Sequence, residues 1–149
     1  MSTATASAGI LEEIHHEHER LESLIAEIRW VLIEPSERRL RLFKGLMGEL
    51  VPLLEDHFAH EEEGGYFTEV IDLHPELAER VERLLTEHGE LLSTVRAIDT
   101  RLQYAECTPH WFAAIRNDFS DFLHRCEAHQ HQENAMVQEG FLRDTGAGD

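Results

Sequence analysis

The sequence predicts an all-α protein, an antiparallel up-down-up-down four-helix bundle. Two observations carry that expectation. Apolar residues recur at steps of three and four along four separate stretches, the spacing of a helix with one buried face. Three of the four prolines, Pro35, Pro75 and Pro109, fall at the boundaries of those stretches, Pro52 excepted. The chain has 149 residues, the length of one ordinary domain, so a single domain over 1–149 is expected. Its helices are read at roughly 8–33, 36–63, 75–105 and 109–142.

In the first stretch Leu11, Ile14, Leu21, Ile25, Ile28 and Leu32 form the stripe, with His18 filling its one gap. Pro35 ends that helix and Ser36 is placed to cap the next. Leu40, Phe43, Met47, Leu50 and Leu54 continue the second stripe onto His57 and Glu61. Pro52, close to Gly48, predicts a kink there. Gly64-Gly65 loosens the end of the second helix, and 64–75 reads as the longer crossing between two hairpins. Pro75 suits the first turn of the third helix. Its stripe is Leu77, Val81, Leu84, His88, Leu91, Val95, Ile98 and Leu102. Thr108-Pro109 provides an N-cap and a first-turn proline for the fourth. There the stripe is Phe112, Ile115, Phe119, Phe122, Cys126, His129, Glu133 and Met136. The small, polar ends Ser2–Gly9 and Thr145–Asp149 are expected to fray.

Composition narrows the function. Hydrophobic residues make up 42%, enough for a core, while 13 basic against 30 acidic residues leave a formal charge of −17. Such a surface repels phosphate, which argues against nucleic acid and anionic membranes as partners. No stretch reaches the roughly 20 apolar residues of a membrane span, and Met1–Gly9 does not read as an export signal. Cys107 and Cys126 form no close pair. A reduced, cytoplasmic setting is therefore expected. Histidine is over-used, with 11 residues, and it is the commonest metal-ligating side chain.

His18, His57, Glu61, His88, His129 and Glu133 all stand at core positions. The first and third helices give one histidine each, and the second and fourth give H-x-x-x-E, which sets both side chains on one face a turn apart. The pattern repeats. Glu17-His18-x-x-Leu21 is echoed by Glu87-His88-x-x-Leu91, and His57 follows His18 by 39 residues as His129 follows His88 by 41. Packed face to face, two such hairpins converge four imidazoles and two carboxylates. Buried unpaired carboxylates cost on the order of several kcal/mol each, against a total stability of about 5–15 kcal/mol. Bound dications reverse that sign. A single core histidine is usually just a hydrogen-bonded core residue, and one H-x-x-x-E can be a surface pair; the doubled arrangement is what points to metal. Four imidazoles, two bridging carboxylates and a bridging oxide or hydroxide leave two six-coordinate ions with open positions for water, dioxygen or peroxide. Mixed imidazole and carboxylate favours iron, with manganese next, and the set is generous for structural zinc.

The order H … H-x-x-x-E … H … H-x-x-x-E, from His18 to Glu133, resembles the hemerythrin-like (HHE) cation-binding family. The resemblance implies a non-haem di-iron site with His18, His57, His88 and His129 as terminal ligands and Glu61 and Glu133 as bridges. It further implies binding or sensing of dioxygen, peroxide or nitric oxide, or the handling of iron. Peroxide disproportionation is the enzymatic version, and a metal-stabilised acidic interaction module is the bland one. Oxygen-carrying hemerythrins have a further histidine one turn from the third-helix ligand, where this chain has Leu84 and Leu92. The four-histidine bacterial members are the closer likeness.

His15 rivals His18, but the stripe favours His18. His60 and Glu62 flank the set, Tyr66 just past the second helix is a candidate for an open metal position, and Cys126 reads as core packing. His16, His74, His110, His124 and His131 read as solvated, and Trp30 and Trp111 as packing at the bundle ends. Counted from the first turn, His18 and His57 are offset by roughly 9 Å along their helices, which the Pro52 kink, the turn and side-chain reach must absorb.

Overall fold

A computed structural model describes residues 2–63, 65–104 and 108–142, and their side chains except at 2–8, 10, 11, 66, 141 and 142. Four long helices pack antiparallel: α1 (Ser2–Val31), α2 (Glu37–Glu63), α4 (Ala78–Gln103) and α5 (Pro109–Val137). Between α2 and α4 runs a short helix, α3 (Tyr66–Leu73), followed by a 3₁₀ turn at Pro75–Leu77. Around the bundle α1 packs on α2, α2 on α4 and α4 on α5, while the α1–α5 seam is the loosest of the four.

The expected caps are in place. Ser36 Oγ accepts from the Arg39 amide at 3.0 Å, and Thr108 Oγ1 accepts from the Trp111 amide at 3.2 Å, with Pro109 in the first turn. Each satisfies an amide that the first turn leaves without a helical partner. Gly65 turns the chain into α3 at φ 81°, a left-handed conformation that glycine adopts without a Cβ clash.

Several expectations are corrected. α1 begins at Ser2 and not near residue 8; its alanine-rich start has high helix propensity. The crossing segment is not a plain loop, because Phe67 and Val70 give α3 an apolar face that is buried. The third long helix starts at Ala78, since Pro75–Leu77 winds as 3₁₀. The fourth passes at Gln138 into a π turn ending at Leu142. α2 stays helical on both sides of Pro52, the position of the expected kink. Trp30 is 58% exposed, its ring covered by the Arg39 guanidinium 4.7 Å away, so it does not pack into the bundle. Gly64, Cys107 and Thr145–Asp149 lie outside the described residues, as does the Tyr66 side chain.

Two apolar layers fill the interior. The larger runs from Leu21 on α1 to Leu32 just past its end and includes Phe43, Met47 and Leu50 of α2, Val95 and Ile98 of α4, and Ile115 and Phe119 of α5. The smaller joins Ile14, Phe67, Val70, Leu77, Val81, Leu84 and Met136. His18 lies between Ile14 and Leu21, His88 between Leu84 and Leu91, and His129 between Leu123 and Met136 in sequence. The polar residues therefore form a band between the layers. At the closed end of the smaller layer Gly140 approaches α3 so closely that a Cβ there would stand 3.1 Å from a Val70 methyl.

Candidate metal centre

All six stripe-breaking residues meet inside that band. His57, Glu61, His88, His129 and Glu133 are at most 4% exposed, and the His18 side chain is 18% exposed. Their donor atoms form two overlapping groups, His18/His57/Glu61/Glu133 and His88/His129/Glu61/Glu133, each with its donors within 4.8 Å of one another. Both carboxylates belong to both groups. Glu61 Oε1 lies 3.4 Å from His57 Nε2 and 3.3 Å from His88 Nε2. Glu133 divides its oxygens, with Oε2 3.3 Å from His129 Nε2 and Oε1 3.9 Å from His18 Nε2. His18 Nε2 and His57 Nε2 face each other at 2.9 Å. The offset counted along straight helices does not keep them apart. Two backbone bonds, Leu32 N to Ile28 O and Ile33 N to Trp30 O, prolong the turn of α1 past Val31 and lengthen that arm.

The bonding of these groups fits a cation. Both oxygens of Glu61 and of Glu133, both ring nitrogens of His88 and His129 Nε2 are buried with no hydrogen-bond partner among the described residues. Buried polar atoms are ordinarily partnered, and leaving one unpartnered costs about 1–3 kcal/mol, more when it is charged. Metal–donor bonds of roughly 2.0–2.2 Å would satisfy the converging atoms together, and donors so placed around one ion sit about 3–4 Å apart.

Two supporting residues were not recognised in the sequence. Glu17 Oε1 accepts from His57 Nδ1 at 3.0 Å, and Glu87 Oε1 accepts from His129 Nδ1 at 2.9 Å. Each carboxylate fixes the proton on Nδ1 and turns the Nε2 lone pair inward. The repeated Glu-His doublet was the available signal. Glu17 Oε2 also accepts from His60 Nδ1, so His60 stands behind the site and not in it. Gln130 Nε2 donates to His18 Nδ1 at 3.3 Å. Glu62 Oε1 is 3.8 Å from His88 Nδ1.

Electrostatics follow burial. Burial, and then the neighbouring His57, push His18 down to about 4. Burial and His129 push His88 down to about 3. Both rings are thus neutral and able to ligate. Burial also works to lower His129, but the adjacent Glu133 carboxylate and the bond to Glu87 outweigh it and raise the net value. Glu61 is pushed well above the carboxylate range by burial first and Glu133 second. For Glu133 burial works upward, yet Glu61 and His129 hold it down at about 2.

The remaining candidates fall elsewhere. His15 is exposed and pairs with Glu19 at 3.0 Å. His16, His110, His124 and His131 are exposed, as expected. His74 is not: its Nε2 is buried with no hydrogen-bond partner among the described residues, while Nδ1 meets Glu76 at 3.1 Å. Cys126 packs against the larger core, and burial pushes its thiol up to about 12, so it is not poised as a thiolate. No described helix is long and apolar enough to cross a membrane.

A protein-family model described as the Hemerythrin HHE cation binding domain matches residues 9–139. Neither a curated protein nor a solved structure matches the chain.

Proposed function

The chain belongs to the hemerythrin HHE cation-binding domain family, and from that premise we propose that it is a non-haem di-iron protein that binds or senses peroxide, dioxygen or nitric oxide in the cytoplasm. His18, His57, His88 and His129 would hold the iron pair from its two sides, and Glu61 and Glu133 would be shared between them. One observation carries the reading: the two groups of donors share both carboxylates, as two adjacent ions require. Mixed nitrogen and oxygen donors favour iron over zinc, with manganese next. When bound, the metal pair supplies redox-active, Lewis-acidic positions for a small oxidant or diatomic ligand.

The chain's own residues prepare those positions. Glu17 and Glu87 orient His57 and His129 through Nδ1. Phe58 stacks flat on His88, ring centroids 4.0 Å apart, and together with Phe67 and Met136 keeps bulk water from that side. Glu61 and His129 are both raised, so protons would compete with a cation at these two groups.

Turnover is the second reading, favoured by a cavity that reaches His18 and His57 from the surface. Its reaction balances without a further reductant, two hydrogen peroxide molecules giving one dioxygen and two waters. Metal analysis and visible spectra before and after peroxide test the binding reading. Iron near two per chain and a spectral response are expected, and a product without transition metal contradicts it. Oxygen evolution by the iron-loaded protein separates turnover from sensing.

A further inference from the structure

The two hairpins are related by a pseudo-twofold repeat that pairs Glu17 with Glu87, His18 with His88, His57 with His129 and Glu61 with Glu133. That repeat breaks one residue after the H-x-x-x-E histidines. After His57 comes Phe58, which lies flat on His88 at an interplanar angle of 9°. After His129 comes Gln130, which only touches the edge of His18 through Nδ1. The break has a structural consequence. The His88 side is closed by Phe58 and by Phe67 of α3, whose ring centroid is 6.0 Å from His88. The His18 side opens through the loose α1–α5 seam into a cavity of about 480 Å³.

That cavity is far larger than the reading of a diatomic or peroxide ligand needs. A hydrogen peroxide molecule is little bigger than a water, whose share of liquid volume is about 30 Å³. Sites for small organic molecules span about 300–1,000 Å³. The walls near the floor are apolar, with Leu21, Ile25, Leu54 and Phe122 among them, and the inner end carries His18, His57 and His129. The rim is acidic, with Glu19, Glu22 and Glu127. Arg29 across the seam is already paired with Glu127 at 2.6 Å. An anionic ligand such as a fatty acid is repelled there, whereas an uncharged one with an apolar body is accepted.

We propose that this cavity is a binding site for uncharged organic hydroperoxides, which place their apolar body between α1 and α5 and their terminal oxygens at the His18/His57 side of the centre. The inference rests on the di-iron reading for the role of the oxygens, while the cavity itself does not depend on it. The cavity reaches His18, His57 and His129, while His88 lies under Phe58 and Phe67.

The test uses iron-loaded protein and two probes. Cumyl alcohol, unreactive and of the right shape, is titrated by calorimetry; cumene hydroperoxide and hydrogen peroxide are compared by stopped-flow absorbance. Ile25→Trp fills the cavity, and Gln130→Phe closes its inner end as Phe58 closes the other half. Wild type is expected to bind cumyl alcohol at one saturable site. Each variant should weaken that binding about tenfold or more, and lower the rate with cumene hydroperoxide relative to hydrogen peroxide by a similar factor. Circular dichroism identifies a variant that fails to fold, and the other then decides. Absence of saturable binding to wild type, or binding unchanged in the folded variants, overturns the inference. Iron content and the hydrogen peroxide response are measured on the same samples. Retained iron with no alcohol binding sinks the cavity proposal alone; alcohol binding without iron sinks the di-iron reading alone.

Discussion

Glu17 and Glu87 do the same task in the two halves of the molecule, each holding the Nδ1 proton of a buried histidine on the neighbouring helix. Such supporting carboxylates commonly account for about 10–100-fold in metal affinity. Glu17→Gln and Glu87→Gln should each weaken iron retention by about that factor, measured by chelator competition, while His60→Gln has a smaller effect. Removing a bridge is more severe, so Glu133→Ala should lose metal where the exposed His124→Ala keeps it. Equal retention in those two would remove Glu133 from the ligand set. The six converging residues were legible in the sequence because each interrupts an apolar stripe at a helical step. Glu17 and Glu87 were not. One residue before a stripe histidine is about 100° around the helix, where a glutamate reads as surface, and only the packing of α1 on α2 and of α4 on α5 brings it against an imidazole.

At the scale of elements, the long helices could be read from period and caps, whereas α3 could not. Eight residues carry too few turns to show a period, and the flanking glycines and prolines read as loop. Only the docked structure shows that Phe67 and Val70 are buried against Ile14, Leu84 and Met136. The π turn was equally hidden, since its effect is to bring Gly140 against Val70. Gly140→Ala should overpack that contact and cost about 1–3 kcal/mol, a fall of roughly 2–4 °C in Tm per kcal/mol for a chain of this size. An unchanged Tm would mean that α3 shifts freely. Thr108→Ala removes the cap of α5 and should cost about 1 kcal/mol without altering metal content.

Across the whole molecule, two apolar layers enclose one polar band, and charge sets its coupling to pH. His18 at about 4 and His88 at about 3 are neutral at physiological pH and lose no proton on ligating. Glu61 and His129 are both raised, so protons compete with a cation there first. Metal uptake should therefore release protons, and affinity should fall as pH drops, because protons then compete for Glu61 and His129. His18 and His88 join that competition only near pH 4 and 3. Calorimetry in two buffers of different ionisation heat reads the release directly; no release, or net uptake, contradicts this assignment.

Iron content per chain, determined together with Tm before and after chelation, bears most directly on the claim that cations stabilise this band. The account predicts about two irons per chain and a Tm that drops on chelation and recovers on reloading. Metal binding at a hundredfold excess over Kd contributes about 2.7 kcal/mol, several degrees for this chain. A folded chain that retains no transition metal, with the same Tm in iron and in chelator, contradicts it.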